Sequence, residues 1–344
     1  MMGRRPVSLL SAMAAALLIS GCGGTVERKE APSADHAAKG FPVTVSNCGV
    51  KTTYQRPPQR SVSMNQHATE VMLALGLERS MVGTSCLDDR ILPEYQGAYD
   101  GIKVLAKEYP SFEALLAAEP DFAYGGFAST FDEKEGRGRD ALSKAGINSY
   151  LNIEECPSGP VTMAAMDQEI RNVAKIFGVP DRAELQLKKL HGTLDSVEDR
   201  LADTAPMKIF VYDSGDKTAF TAGGAGIGNE MIRLAGGMNL FTDLDKAFGD
   251  VSFEQVAERA PEAIVIYDYG DQSVEDKKKF LLANPALKDV PAIKNKRFAV
   301  LPLSSTVLGV RVPSGVDSLC RGPRPSGRIP PAVRPPSSAG HTGR

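Results

Sequence analysis

From Phe41 onward, short apolar runs alternate with stretches whose apolar residues recur every three or four positions, as when strands exchange with amphipathic helices. RSVSMN (60–65) predicts a strand running into a turn. ATEVMLALGL (68–77) sets Val71, Met72, Ala74 and Leu75 on one helical face and stops at Gly76. MVGTSC (81–86) is the next strand. Ser111 then reads as the N-cap of a helix with Phe112, Leu115 and Leu116 facing inward, closed by Pro120 and followed by the strand DFAYGG. GRDALSKAGINSYLNI (138–153) adds a helix and a strand, with Gly146 as the stop.

The rhythm breaks between Val161 and Ala205, which is helical apart from Gly178-Val179-Pro180. Leu185, Leu187, Leu190, Leu194, Val197 and Leu201 recur at helical spacing there. A helix of that length spans roughly 30 Å, a strut rather than a soft linker. Alternation then resumes with the strand MKIFVYD (207–213) and a helix ending at Gly236-Gly237. A helix over 252–259, the strand AIVIYDY, another helix and a strand from Arg297 to Leu301 follow. This is the pattern of an α/β fold with two similar three-layer lobes joined by a single long helix, a ligand cleft lying between the lobes.

One phrase occurs twice. Ser111-Phe112-Glu113 and Ser252-Phe253-Glu254 are each followed by Pro nine residues after the Ser, then by an apolar run ending in Tyr and Gly. Self-similarity of this kind marks equivalent helix–strand units in the two lobes. Glu113 and Glu254 each lie in the first turn of their helix. A carboxylate there complements the helix dipole, which explains an acid near a helix start but not the same position in both lobes.

Composition adds a compartment. Arg4 and Arg5 precede an apolar stretch from Val7 to Ile19, too short for a permanent membrane span. It ends in Ile19-Ser20-Gly21-Cys22, which resembles a bacterial lipobox. That resemblance implies cleavage before Cys22, lipid on its thiol, and an extracytoplasmic location with the chain anchored to the cell membrane. Cys48, Cys86, Cys156 and Cys320 remain, in a compartment where disulfides persist. Of the possible pairings, one among Cys48, Cys86 and Cys156 is expected. Between residues 22 and 320 there are 33 Lys and Arg against 42 Asp and Glu, a net −9. A body this acidic argues against a nucleic-acid surface. The last stretch holds six Pro, four Gly and five Arg with little to bury and reads as disordered. The expected division is a signal peptide over 1–21, a flexible tether over 22–40 and an N-terminal lobe over 41–178. A linking helix over 179–205, a C-terminal lobe over 206–318 and a disordered tail over 319–344 complete it.

Candidate chemistry is sparse. Of the four histidines only His67 is well situated, following Asn65 and Gln66 at a strand-to-helix turn where α/β proteins hold ligands. No His pair has metal-ligand spacing, so no metal site and no cofactor are expected. GGAGIG (223–228) lacks dinucleotide-loop spacing, though Thr221 beside it is a candidate cleft residue. No G-x-S-x-G elbow is present. The adjacent acids Asp88-Asp89 and Glu154-Glu155 read as solvated loops. Tyr124 and Phe127 after one central strand, and Tyr267 and Tyr269 after its counterpart, either face a cleft between the lobes or cap their own cores.

Together, RSVSMNQHATEVMLALGLERSMVGTS, SFEALLAAEPDFAYGG, the strut, TAGGAGIGNEMIRLAGGMNLF and VSFEQVAERAPEAIVIY resemble the substrate-binding lipoproteins of ABC importers for iron–siderophore complexes, haem and cobalamin. The resemblance covers roughly residues 41–316. It implies a monomeric, non-enzymatic carrier that holds an iron chelate between its lobes with little hinge motion. It further implies that an exposed Glu on each lobe, here Glu113 and Glu254, docks onto the permease dimer. A corrinoid or haem carrier is the same-class alternative, with His67 or a cleft Tyr as axial ligand. A chelatase-like enzyme on the same plan is the different-class one, for which only His67 is available. Two departures stand out: the chain has no Trp, which such clefts often use, and the Arg/Pro tail stands where the family closes with a helix.

Overall fold

The computed structural model describes residues 39–156, 159–202 and 204–322; Cys22 and the signal and lipobox segments lie outside the described residues. In the first half the order is β1 (Val43–Asn47), β2 (Val50–Tyr54), β3 (Ser61–Met64), α1 (Gln66–Ala74), β4 (Met81–Ser85) and α2 (Pro93–Tyr99). There follow β5 (Val104–Ala106), α3 (Phe112–Ala117), β6 (Phe122–Gly125), α4 (Arg139–Lys144), β7 (Asn148–Leu151) and α5 (Met163–Ile176). α6 (Pro180–Leu201) is the strut. The second half runs β8 (Met207–Tyr212), β9 (Ala219–Ala222), α7 (Ile227–Leu234), β10 (Gly237–Asn239), β11 (Phe248–Val251) and α8 (Phe253–Arg259). It closes with β12 (Ala263–Asp268), α9 (Val274–Ala283), α10 (Pro291–Lys294), β13 (Phe298–Pro302) and α11 (Val312–Arg321).

Each half is built on a parallel sheet, ordered β5-β4-β3-β6-β7 in the first and β10-β8-β12-β13 in the second. The strands after the repeated phrase, β6 and β12, sit inside their sheets, each bonded on both sides. One face of the first sheet is covered by α3 and α4 through Leu115, Phe131, Leu142 and Ile147. One face of the second is covered through Phe253, Val256, Leu281 and Ile293. The other faces share one continuous apolar cluster that includes Met72, Ile170, Leu187, Met231 and Val316. Helices on both faces make each half three-layered.

The sequence pattern missed two antiparallel ribbons, β1–β2 and β9–β11. The first carries a disulfide between Cys48 in its turn and Cys156 after β7. Two leucines and one boundary depart from expectation. Leu116 is 38% exposed and Leu185 72% exposed, because each lies off the single apolar stripe of its helix. The boundary drawn at 319 falls inside α11, where Leu319 and Cys320 are buried, so the fold does close on a helix.

Candidate functional site

Parallel sheets present ligands at the C-terminal ends of their strands. At the end of β3 the backbone turns through Asn65 in a left-handed conformation (φ 83°) into α1. The Asn65 carboxamide accepts from the Gly126 N–H (3.2 Å) and the Thr130 hydroxyl (3.1 Å), and donates to Tyr109 Oη (3.1 Å). Asn65 therefore ties the loops after β5 and β6 to β3. Gln66 donates to Glu70 Oε1 (3.2 Å) and the Arg90 carbonyl (3.0 Å), and accepts from the Asp89 N–H (3.1 Å).

His67, in the first turn of α1, is buried. A Cβ on Gly126 would overlap its imidazole, so only glycine admits the ring there. Burial pulls its pKa down to about 4, partly offset by a hydrogen bond with the Gly126 backbone. The ring is neutral near pH 7, and its Nδ1 has no partner. Phe127 lies edge-on to it at 4.9 Å between centroids and is half-buried. Tyr124 is fully buried and donates to Glu169 on α5. Tyr124 thus belongs to its own core, one layer below the rim.

In the second half Tyr267 is likewise buried, with Gly228 of α7 pressed against its hydroxyl. Thr221 is buried in β9 with no partner for its hydroxyl. Tyr269 is half-buried and donates to Asp213 Oδ1 (2.5 Å), and Lys277 Nζ lies 4.9 Å from the centroid of the Tyr269 ring. Lys277 donates to the carbonyls of Asp213 (2.8 Å) and Tyr267 (2.6 Å), locking the ends of β8 and β12 together.

Tyr109, Arg137, Phe220 and Phe248 join the rim without having been singled out in the sequence. Arg137 is buried, its guanidinium 5.4 Å from the Tyr109 ring centroid, and Phe220 stacks on Phe248 at 5.6 Å. For Tyr109, an aromatic three residues after β5, the strand end was the available signal; Phe220 and Phe248 lie inside the short strands β9 and β11.

GGAGIG is not a phosphate cradle. Cβ atoms on Gly223 and Gly224 would collide with the carbonyls of Lys246 and Thr242, so these glycines serve close packing. The first N–H of α7, at Ile227, donates to Glu154 Oε1 (3.0 Å) from the other half. Glu154 is half-buried and both of its carboxylate oxygens are occupied by backbone N–H groups of the other half, unlike the solvated loop its doublet suggested. Burial raises its pKa to about 7, against the pull of the Ile227 and Leu308 N–H groups. Cys86 is a free, buried thiol pushed up to about 11 by burial, a poor nucleophile. Among the described residues no cluster of His, Cys, Asp and Glu could hold a metal ion. Cavities of about 390 Å³, between β1 and α5, and about 430 Å³, beside Asp89 and Gln96, are lined by none of the predicted ligand residues.

Glu113 and Glu254 are both exposed, one residue into helices capped by Ser111 and Ser252. Its own backbone N–H and Ser111 hold the Glu113 carboxyl below its ordinary value.

A family model described as periplasmic binding protein matches residues 62–304. The vitamin B12-binding protein of Pectobacterium atrosepticum is 26% identical over 221 residues, 62% of this chain and 74% of that protein. A periplasmic binding protein from Veillonella parvula superposes with a TM-score of 0.75 at 30% identity, over 81% of this chain and 96% of that one. An ABC-type Fe3+-hydroxamate transport system protein from Saccharomonospora viridis shares the fold, with a TM-score of 0.69, 23% identity and coverage of 81% and 98%. With its two parallel-sheet halves and the family match spanning β3 to the start of the β13–α11 connection, the chain belongs to the periplasmic binding protein family.

Proposed function

We propose that this protein is an extracytoplasmic solute-binding lipoprotein, tethered through Cys22, that captures an iron chelate such as a ferric siderophore and delivers it to the permease dimer of an ABC importer. It catalyses no reaction, and the chelator supplies most ligands of the iron. One observation carries the reading: in each half, half-buried aromatic side chains follow the parallel strands, and in the second half two more stand on the adjoining β9–β11 ribbon, with Phe248 6.3 Å from Tyr267 of β12 between ring centroids. These are Tyr109 and Phe127 on one half, and Phe220, Phe248 and Tyr269 on the other. Aromatic faces at the C-terminal ends of strands suit a bulky organic ligand. Asn65, Gln66, His67, Tyr124, Thr221 and Tyr267 support that rim from one layer below. Glu113 and Glu254 are the permease contacts. Relatives named for vitamin B12 favour a corrinoid as the second reading.

The chain has nine Tyr and no Trp, so intrinsic emission comes from tyrosines alone, Tyr109 and Tyr269 of the rim among them. The chain from residue 23 onward is titrated with a ferric hydroxamate, a ferric catecholate, haemin and cyanocobalamin. Saturable quenching by one iron chelate is expected at a Kd below about 1 µM, roughly −8 kcal/mol. Saturation by cyanocobalamin alone substitutes the corrinoid reading, and a folded chain that binds none of the four defeats both.

A further inference from the structure

The two halves are joined by more than α6. The segment Leu303–Val312, between β13 and α11, is fastened at successive points to the strand ends of the first half. Ser304 Oγ donates to Asp89 Oδ2 (3.1 Å), and the Leu308 carbonyl accepts from Asn152 Nδ2 (2.9 Å). The Leu308 N–H donates to Glu154 Oε2 (2.6 Å), and Gly309 lies against His67 so closely that a Cβ there would sit 3.1 Å from that of the histidine. Arg311 completes the row. Its Nε donates to Glu70 Oε2 (2.6 Å), and one terminal nitrogen donates to Glu70 Oε1 (2.5 Å) and the Arg90 carbonyl (2.5 Å). The other donates to Asp89 Oδ2 (3.2 Å) and Ser304 Oγ (2.9 Å). All five guanidinium protons therefore have an acceptor.

Glu70 is wholly buried and Arg311 nearly so. Glu70 also accepts from Gln66 Nε2 (3.2 Å) and the Leu92 N–H (3.0 Å). Gln66, His67 and Glu70 share the first turns of α1, so the position of Arg311 is passed through one rigid turn to the residues beneath the rim. A buried charge pair is costly to break from one side, because the remaining partner is left uncompensated. An uninterrupted helix such as α6 bends little without losing its backbone bonds. Separation of the halves must therefore release the row of contacts along Leu303–Val312.

We infer that this segment is a clasp and that Arg311 is a positioning residue for cargo: the clasp, rather than flexure of α6, fixes the cleft and governs how fast a bound chelate leaves. The inference rests on the binding reading above for its cargo, but the clasp can be tested without any ligand. The variant carrying Glu70→Met and Arg311→Met removes both charges together, which leaves neither unpaired and keeps similar volume. Arg311→Lys is the second variant, keeping the charge but not the fork.

The first readout is amide exchange at Ile227 and Leu308, whose N–H groups bond Glu154 and touch neither substituted residue. The second is the dissociation rate of whichever of the four probes above binds the parent. Exchange and dissociation are both expected to rise about tenfold in the double variant, the size of one ordinary coupling between contacting groups, with a smaller rise in Arg311→Lys. Unchanged protection at Ile227 and Leu308 in both variants overturns the clasp. Faster exchange with a dissociation rate within about twofold of the parent overturns the positioning role. If exchange quickens but none of the four probes binds even the parent, the clasp stands and the cargo reading is what fails.

Discussion

The outer and inner ends of the repeated unit have diverged to different degrees. Outside, α3 and α8 match closely: each is capped by a Ser, carries an exposed Glu at its second position and contributes a buried residue to its sheet. Each is also closed by a residue of positive φ before a proline, Glu119 at 47° and Ala260 at 49°. Inside, β6 runs into Gly126, whose missing Cβ lets His67 pack against the backbone, whereas β12 runs into Tyr269 over a buried lysine. A two-fold partner demands the same surface twice. A cargo without symmetry demands nothing of the kind, so only the outward-facing copies need to stay alike.

The largest expected effect breaks that symmetry directly. Replacing Glu113 or Glu254 by Ala removes an exposed charge that lies outside the core, held in the case of Glu113 only at its own helix start. Each change is expected to weaken docking to the permease in lipid nanodiscs roughly tenfold to a hundredfold, and the double variant to abolish transport. Cargo titration should be untouched in all three. If one glutamate carries the whole effect, the two halves are not gripped equivalently and the comparison fails at its outer end.

How much of this was legible depended on the range of the interactions. The caps at Ser111 and Ser252, the apolar runs of β6 and β12 and the strut are set by neighbours within a turn or two, and the sequence pattern found them. Leu116 and Leu185 were misassigned because apolar character was counted without its angle. Leu185 is two positions, roughly 200°, from the stripe residue Leu187. The ribbons β1–β2 and β9–β11 are built of strands of four or five residues without a long apolar run to mark them, and the disulfide was narrowed to three cysteines without being fixed. The backbone partners of Glu154 could not be read locally, since they lie 73 and 154 residues away. His67 and Phe127 were found as strand-end residues. Tyr109 and Arg137 were not, because what marks them is contact with each other and with Asn65.

A second asymmetry is electrostatic. Two glutamates of the first half, the half-buried Glu154 and the buried Glu169, have pKa values raised to about 7, foremost by loss of solvent around the carboxyl; Glu169 is partly relieved by the Tyr124 and Tyr150 hydroxyls. Such groups bind protons in the native state that they release on unfolding between their ordinary value of 4.5 and about 7. Each therefore makes stability fall as pH rises through that window, by up to about 1.4 kcal/mol per pH unit. His67, lowered to about 4, acts oppositely, losing stability as pH drops below its ordinary 6.5. Glu169→Gln removes one of the two carboxyl contributions. Denaturation midpoints from pH 5 to 7 should slope downward in the parent and flatten in the variant. Identical slopes would mean that Glu169 titrates normally in the folded chain.

The smallest expected effect separates the twin helices themselves. Ser252 and Gln255 form a reciprocal capping box: Ser252 Oγ accepts from the Gln255 N–H (3.2 Å), and Gln255 Oε1 accepts from the Ser252 N–H (2.9 Å). Ser111 makes only the first kind of bond, accepting from the Ala114 N–H (3.1 Å). Either Ser→Ala change is expected to cost about 1 kcal/mol, the usual worth of an N-cap. Only in the second helix should Gln255→Ala add a further few tenths, because there the side chain returns to the cap. Ala114 has no reaching side chain, so the equivalent loss cannot occur in the first helix. Urea midpoints of the four variants decide the point. Equal losses from Ser111→Ala, Ser252→Ala and the Ser252→Ala/Gln255→Ala pair would mean that the second bond contributes nothing. The two copies would then match in energy as well as in outline, and whatever distinguishes the halves would lie away from their caps, at the strand ends.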